Sequence, residues 1–338
     1  MRAYRFAEFG IEHLRLETLE PPTPGPAEVV VDVKAVSLNY RDLMVVKGIY
    51  NPKLLAGGEP VTPVSDGAGV VSAVGEGVEG VSVGDWVVSH FVSGWTGGPF
   101  RAEYVHTSLG TPGPGLAAER VALPAHAVLP IPAGYDFAQA ATLPIAALTA
   151  WSALVTEGHI ENGQAVLTLG TGGVSIFAVL LAKAMEVKVI ITSGSDKKRK
   201  RARQLGADHT INYRTTPDWD SAVLEMTGGV GVDLTIETGG AGTLERSMKA
   251  TRAGGTVAFL EALTGLKAKS NFAHLLMKRL HLAGIYVDSR ASFEAMNRFI
   301  QEHAIRPVID RRFSFAELPE AMRYLESGAH LGKIVVQF

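Results

Sequence analysis

Residues 166–183 read VLTLGTGGVSIFAVLLAK. An apolar run meets a glycine-rich turn, Gly170-Thr171-Gly172-Gly173-Val174-Ser175, and a second apolar run follows at helical spacing. Strand, tight turn and helix in this order form a cradle for a dinucleotide. Gly170 permits the turn, and Gly172 lets the backbone approach a pyrophosphate with no Cβ in the way. The helix then offers N–H groups and the positive end of its dipole. Ser175 stands where a third glycine would let helix and strand pack closely, and serine is small enough for nearly the same approach. An ordinary turn is the competing reading, and the flanking strand and helix weigh against it. TGGVGVD at 227–233 shows the contrast, because it leads straight into a strand and reads as a turn only.

The end of the next strand selects the nucleotide. A carboxylate ~20 residues after the first glycine would bond the adenosine ribose of NAD. Here VKVIITSGSDKKRKRARQLGAD ends its strand in Thr192-Ser193-Gly194-Ser195, with no carboxylate before Asp196. Hydroxyl donors and a cation suit a 2′-phosphate. Ser193, Ser195 and Lys198 are the expected contacts, and the cofactor expected is NADP(H). Most of the basic run 197–201 reads as a solvated helix face. A nucleic-acid partner is not expected, since the net charge is −2 and phosphate backbones call for surplus Lys and Arg.

Outward from the turn, 338 residues exceed one small core and predict two domains. Val-rich runs broken by Gly and Pro over the first ~125 residues predict a β-rich domain. Residues 93–119, rich in Gly and Pro, read as a long loop of the lid or interface kind. From about 137 the texture changes to a helical stretch interrupted by Pro144. Then short β-branched runs alternate with helix-like spans, as in a doubly wound parallel sheet. The opening MRAYRFAEFG lacks the apolar core of a secretory signal. No apolar run approaches the ~18 residues of a span. A soluble cytoplasmic protein acting on a small molecule, without membrane contact, is expected. The chain has no cysteine, which removes disulfides, thiolate nucleophiles and Cys-based zinc sites together.

Taken together, AVSLNYRDLMVVKGIY, PVSDGAGVVSAVGEGVEGVSVGDWVV, AATLPIAALTAWSAL, GTGGVS, LGADHTINY and GKIVVQF resemble the medium-chain dehydrogenase/reductase superfamily, most closely its zinc-independent quinone oxidoreductase and alcohol dehydrogenase-like branch. The resemblance covers nearly the whole chain. It implies an α/β protein with a GroES-like β-barrel catalytic domain, residues 1–130 and 291–338, and a Rossmann NADP-binding domain, residues 131–290. It also implies a cleft active site and a homodimer. Zinc-containing relatives hold their catalytic metal with Cys, His and Cys, and the matching positions here are Asn39, Ser65 and Ile145. The structural-zinc loop corresponds roughly to 93–119, also without cysteine. His90, His106 and His126 are scattered singly and read as packed or surface residues. No metal is expected.

Without zinc, hydrogen-bond donors must stabilise the oxyanion that forms as hydride reaches a carbonyl or enone. By resemblance, Asn39, Asp42 and Tyr50 face the cleft: the Asn39 amide and the Tyr50 phenol as donors, and Asp42 as an orienting group or loop brace. Also by resemblance, Thr149 lies beside the nicotinamide, Tyr213 packs near the adenosine end, and Lys333 reaches the cofactor from the closing segment. The activity expected is reduction of a quinone, enone or carbonyl. The alternatives are an enoyl-thioester reductase and a cofactor-binding protein with little turnover.

Overall fold

Glu28–Leu38 is the strand on which the first unit is built. Its valines are nearly all buried, as β-branched residues of a covered sheet should be. Along its length it pairs antiparallel with Asp66–Val74, at its start with Arg120–Pro124, and at its end with Lys333–Gln337. The full path runs Ile309–Ser314, Lys333–Gln337, Glu28–Leu38, Asp66–Val74, Trp86–Ser89 and Val128–Pro130. This is the β-rich domain expected, closed by the end of the chain.

The computed structural model describes residues 1–265, 267 and 271–338. Two compact units divide it, Met1–Leu148 with Val287–Phe338, and Thr149–Tyr286. The break thus falls at 148/149, whereas the resemblance implied 130/131 and the texture changes at about 137. The intervening residues are fastened to the first unit by backbone donors: Ile131 N–H bonds Trp86 O, and Ile145 N–H bonds the Asp66 carboxylate. The helical stretch breaks up around Pro144 as expected, into Phe137–Ala140, a π-helical turn Leu143–Ala147, Leu148–Trp151 and a second π-helical turn Ser152–Thr156.

The second unit is a six-stranded, wholly parallel sheet. Its order is His209–Asn212, Lys188–Ser193, Ala165–Thr168, Val232–Glu237, Thr251–Phe259 and His281–Gly284. In sequence this is 3-2-1-4-5-6, the doubly wound arrangement whose order reverses beside its first strand. Leu167, Leu169, Ile190, Ile211, Trp219 and Val223 form one core cluster. The near-continuous apolar runs follow from burial on both sheet faces. Among the described residues, no helix is long and apolar enough to cross a membrane.

Loop 93–119 is more built than its composition suggests. Ala102–Thr107 forms a short 3-10 helix. Trp95 packs edge-on to Phe100 at 5.0 Å and parallel to Tyr104 at 6.1 Å, and its Nε1–H donates to Gly98 O. Aromatic packing fastens this segment.

Candidate active site

In the second unit the turn after Ala165–Thr168 lies at the carboxyl ends of the strands, where the strand order reverses. Gly170 has φ +74°, a left-handed conformation that favours glycine. A Cβ built on Gly170 or Gly172 would meet no protein atom within 4 Å, so the backbone is open to an approaching group. The helix Gly173–Ala184 begins at Gly172 with no side-chain cap, leaving its first-turn N–H groups for other acceptors. Thr171 and Val174 flank the opening and are buried. Ser175 takes the role expected of a small residue: it is buried, and its Oγ donates to Leu169 O at 2.6 Å. This donation satisfies the carbonyl at the strand end. The residues present fit a dinucleotide.

The strand end that reads the ribose is built as follows. Ser193 is buried, and its Oγ accepts from Ser195 N–H at 3.3 Å. Ser195 is the N-cap of Asp196–Gln204, its Oγ facing Lys198 N–H at 3.5 Å. Its hydroxyl oxygen is therefore engaged in capping, a structural duty the sequence reading did not include. Arg199 is a brace as well, bonded to Asp196 and to Thr210 O. A Cβ on Gly194 would strike the Tyr213 hydroxyl at 2.6 Å and Arg214 Nε at 2.8 Å. Tyr213 thus stands at this strand end, and it brings with it Arg214, a guanidinium that the sequence reading missed. The signal was the single basic residue after INY.

A second missed residue is Glu237, fully buried at the end of Val232–Glu237. Its Oε1 accepts from Gly239 N–H, Gly240 N–H and Thr243 Oγ–H at 2.6, 2.9 and 2.6 Å, and its Oε2 accepts from Ser247. Next along the loop, Thr238 Oγ–H donates to Leu169 O. One carboxylate therefore fixes the loop that touches the glycine turn. Thr149, the first residue of this unit, is buried.

In the first unit, Asn39 precedes the helix Tyr40–Val46 and forms a capping box with Asp42. Asp42 is buried; its Oδ2 accepts from Asn39 N–H at 2.8 Å and its Oδ1 from Ser65 Oγ–H at 2.7 Å. It braces the helix entry, one of the two roles expected. Burial pushes its carboxyl above the usual carboxylate range, against the pull of Ser65, Arg41, the Asn39 amide and Lys333. Arg41 Nη1–H donates to Ser65 Oγ at 2.7 Å and to Leu109 O, and Nη2–H donates to Thr111 O. Its guanidinium lies 4.5 Å from the Tyr50 ring centre and 4.8 Å from that of Phe91. Tyr50 is 40 % exposed.

One expectation is corrected here. Asn39 does not present a spare amide, since its Nδ2–H₂ donates to Asp66 Oδ2 at 2.9 Å and faces Ser37 O at 3.5 Å. Lys333, expected to reach the cofactor, has its ammonium bonded within the first unit. It is 3 % exposed, and its ammonium donates to Leu38 O at 2.8 Å and to Asn39 Oδ1 at 2.6 Å. The antiparallel pairing of Lys333–Gln337 with Glu28–Leu38 turns this side chain inward. Asp66 is fully buried beside them, its carboxyl raised to about 7 by burial and by Asp42, with Lys333, Asn39 and the Ile145 N–H pulling the other way. A carboxylate in VSDGAG gave no sequence signal of this.

The donor set does not fit zinc. Asn39, Ser65 and Ile145 offer an amide already bonded to an ammonium, a hydroxyl bonded to a guanidinium, and an apolar side chain. A tetrahedral zinc site wants thiolates, imidazoles or carboxylates. Among the described residues, no group of three or more His, Cys, Asp or Glu is placed to hold a metal ion. His90 is packed instead, with Nε2 3.1 Å from Asp288 O.

Comparison with known proteins agrees with this architecture. Residues 25–133 match the alcohol dehydrogenase GroES-like domain, and residues 173–302 match the zinc-binding dehydrogenase family. A zinc-type alcohol dehydrogenase-like protein of Schizosaccharomyces pombe is 41 % identical, over 97 % of this chain and 96 % of its own. A crystal structure of an NAD-dependent alcohol dehydrogenase is 36 % identical, covers both chains fully and superposes with a TM-score of 0.91. The quinone oxidoreductase of Escherichia coli, solved with NADPH, is 24 % identical with a TM-score of 0.86 over both full chains, a likeness of fold. The chain belongs to the zinc-type alcohol dehydrogenase-like proteins of the medium-chain dehydrogenase/reductase superfamily. It is an oxidoreductase with a GroES-like domain and a Rossmann domain.

Proposed function

We propose that the protein is an NADP(H)-dependent oxidoreductase that reduces a quinone, enone or other carbonyl compound without a bound metal. The observation that carries the cofactor reading is the strand end at 192–195. It lacks a carboxylate and gathers Ser193, Tyr213 and the Arg214 guanidinium around Gly194. An acid here would repel a 2′-phosphate, whereas hydroxyls and a guanidinium donate to it. In this reading Gly170, Thr171, Gly172, Gly173 and Val174 hold the pyrophosphate. Ser193, Lys198, Tyr213 and Arg214 hold the 2′-phosphate, and Thr149 lies beside the nicotinamide. When bound, the nicotinamide supplies the hydride. Tyr50 donates its hydroxyl proton into a hydrogen bond with the oxygen on which charge develops, and Arg41 beneath its ring holds the phenol in place. Asn39, its amide already committed, serves the helix entry with Asp42.

The deciding experiment is Ser193→Asp, with dissociation constants for NADPH and NADH measured at one ionic strength. The variant is expected to lose NADPH and gain NADH. A ratio of the two affinities within about twofold of wild type, ~0.4 kcal/mol, would remove the basis of the NADP assignment. A second reading, alcohol oxidation with NAD, is favoured by the name of the 36 % identical structure; tighter NADH binding by the wild type would support it. NADPH oxidation against quinones, enones and enoyl thioesters then separates the substrate classes. No turnover with any of them would point to a cofactor-binding role.

The reading includes a cytoplasmic homodimer. Support for the dimer comes from His281–Gly284, the edge strand of the parallel sheet, where Leu282 is 42 % exposed. The helix before it leaves Leu276 and Met277 about four-fifths exposed, at 77 % and 80 %. An unpaired edge flanked by apolar side chains fits a second copy of itself. Sedimentation at the mass of a single chain would remove this part of the proposal.

A further inference from the structure

The charged groups buried around Asn39 have an order that nothing in the reaction requires. Lys333 donates to Asn39 Oδ1 at 2.6 Å, and the same amide donates through Nδ2 to Asp66 Oδ2 at 2.9 Å. Asp66 Oδ2 also accepts from Ile145 N–H at 3.2 Å. From the other side, Asn39 N–H bonds Asp42, Asp42 accepts from Ser65, and Ser65 accepts from Arg41. Two carboxylates that are at most 1 % exposed therefore meet Lys333 on Asn39, and Arg41 joins them through the Ser65 hydroxyl. The cluster is neutral when all four are ionised. Taking an unpaired carboxylate out of water costs far more than a hydrogen bond returns. Lys333, arriving from the last strand of the sheet, supplies the positive charge nearest to Asn39 and draws both carboxyls toward the ionised form.

We infer that Lys333 is a tethered counter-cation, a positioning residue that holds the Asn39 amide and balances the buried carboxylates of the first unit. The assignment goes beyond the proposed activity and does not depend on which nucleotide the second unit binds. Asp66 is the group most exposed to the loss of Lys333. Facing it are Lys333, Asp42, the Asn39 amide and the Ile145 N–H, with Arg41 acting through Ser65 on Asp42. Without the ammonium, Asp66 either holds a proton or stands as an uncompensated charge.

The test is a double-mutant cycle on the full chain, read as melting temperature from pH 6 to pH 8.5, with Lys333→Met, Asp66→Asn and the two combined. Lys333→Met is expected to melt about 5–15 °C lower at neutral pH. Its deficit should widen as the pH rises. Asp66 has a raised carboxyl pKa in the folded state, so the stability that its protonation contributes is lost as pH rises through that value. Adding Asp66→Asn should recover at least half of the loss and flatten the pH dependence. Lys333→Arg, which keeps the charge, should fall between wild type and Lys333→Met. Should Lys333→Met fail to fold while the double variant folds, the pairing stands. Losses that simply add in the double variant, or a double variant that fails to fold, would show that Lys333 acts by filling space and would overturn the assignment.

Discussion

Tyr213 closes over Gly194 so tightly that a single methyl group at 194 would stand 2.6 Å from its phenol oxygen and 2.8 Å from Nε of Arg214. Both atoms are at or near the ends of long side chains, so they can move aside without disturbing the strand. Gly194→Ala is therefore expected to leave the melting temperature within about 2 °C of wild type. It should weaken NADPH about tenfold or more by moving a charge-assisted donor off its acceptor. Titration of cofactor fluorescence measures this. Unchanged affinity would mean that neither side chain touches the nucleotide.

Tyr50→Phe is expected to lower kcat about tenfold or more with little change in KM, since a donor aimed at developing charge acts mainly in the transition state. The ring remains to pack on Arg41, so folding should be unaffected. A kcat within twofold of wild type would assign Tyr50 to the rim.

Glu237→Gln preserves size but replaces an acceptor of four donors with a group that itself donates. One of the N–H or hydroxyl partners is then left facing an amide hydrogen. A loss of about 2–4 kcal/mol is expected, measured by denaturant unfolding, along with looser cofactor binding through the 238–243 loop. Wild-type stability would show that the loop does not depend on the carboxylate.

His90 gives a pH dependence of the opposite sign to Asp66. Burial lowers its pKa to about 4, with Arg290 and His126 adding to the fall and the Asp288 carbonyl resisting it. Because a carbonyl oxygen only accepts, Nε2 carries the proton in the neutral ring. The unfolded state takes up a proton at about 6.5 and the folded state does not, so stability is full above that pH and declines below it. Wild type should lose about 2 kcal/mol more than His90→Gln between pH 7 and pH 4.5. Parallel pH profiles for the two proteins would contradict the burial of a neutral imidazole.

The strand–turn–helix of the second unit was legible because its signal is local. Gly170, Gly172 and Ser175 lie within one turn, and the fold places them where spacing alone suggested. The same is true of the hydroxyls at 192–195. The polar cluster of the first unit was hardly legible, because its members come from positions 39, 42, 65, 66, 145 and 333. Only strand pairing brings these together, as when Ile334 lies opposite Leu38. The bonds of Lys333 to Leu38 and Asn39 were hidden for that reason, its partners being almost 300 residues upstream. The break between the units departs from the implied 130/131 for a related cause, since Ile131 and Ile145 find their acceptors in the first unit.

The place of Lys333–Gln337 between Ile309–Ser314 and Glu28–Leu38 has a consequence for biosynthesis. The parallel sheet of the second unit is one continuous stretch of chain and has all its strands once residue 284 has been made. The antiparallel sheet lacks an interior strand until the final residues emerge. At roughly 5–20 residues per second, Ala35–Leu38, the part of the strand that Arg120–Pro124 does not reach, spends on the order of 15–60 s on the ribosome with one edge unmet. During that interval this end of the strand is a template for any other extended segment nearby. Nascent chains stalled before Lys333–Gln337 has been made should therefore be held by chaperones, while synthesis of that strand lets it seal the gap.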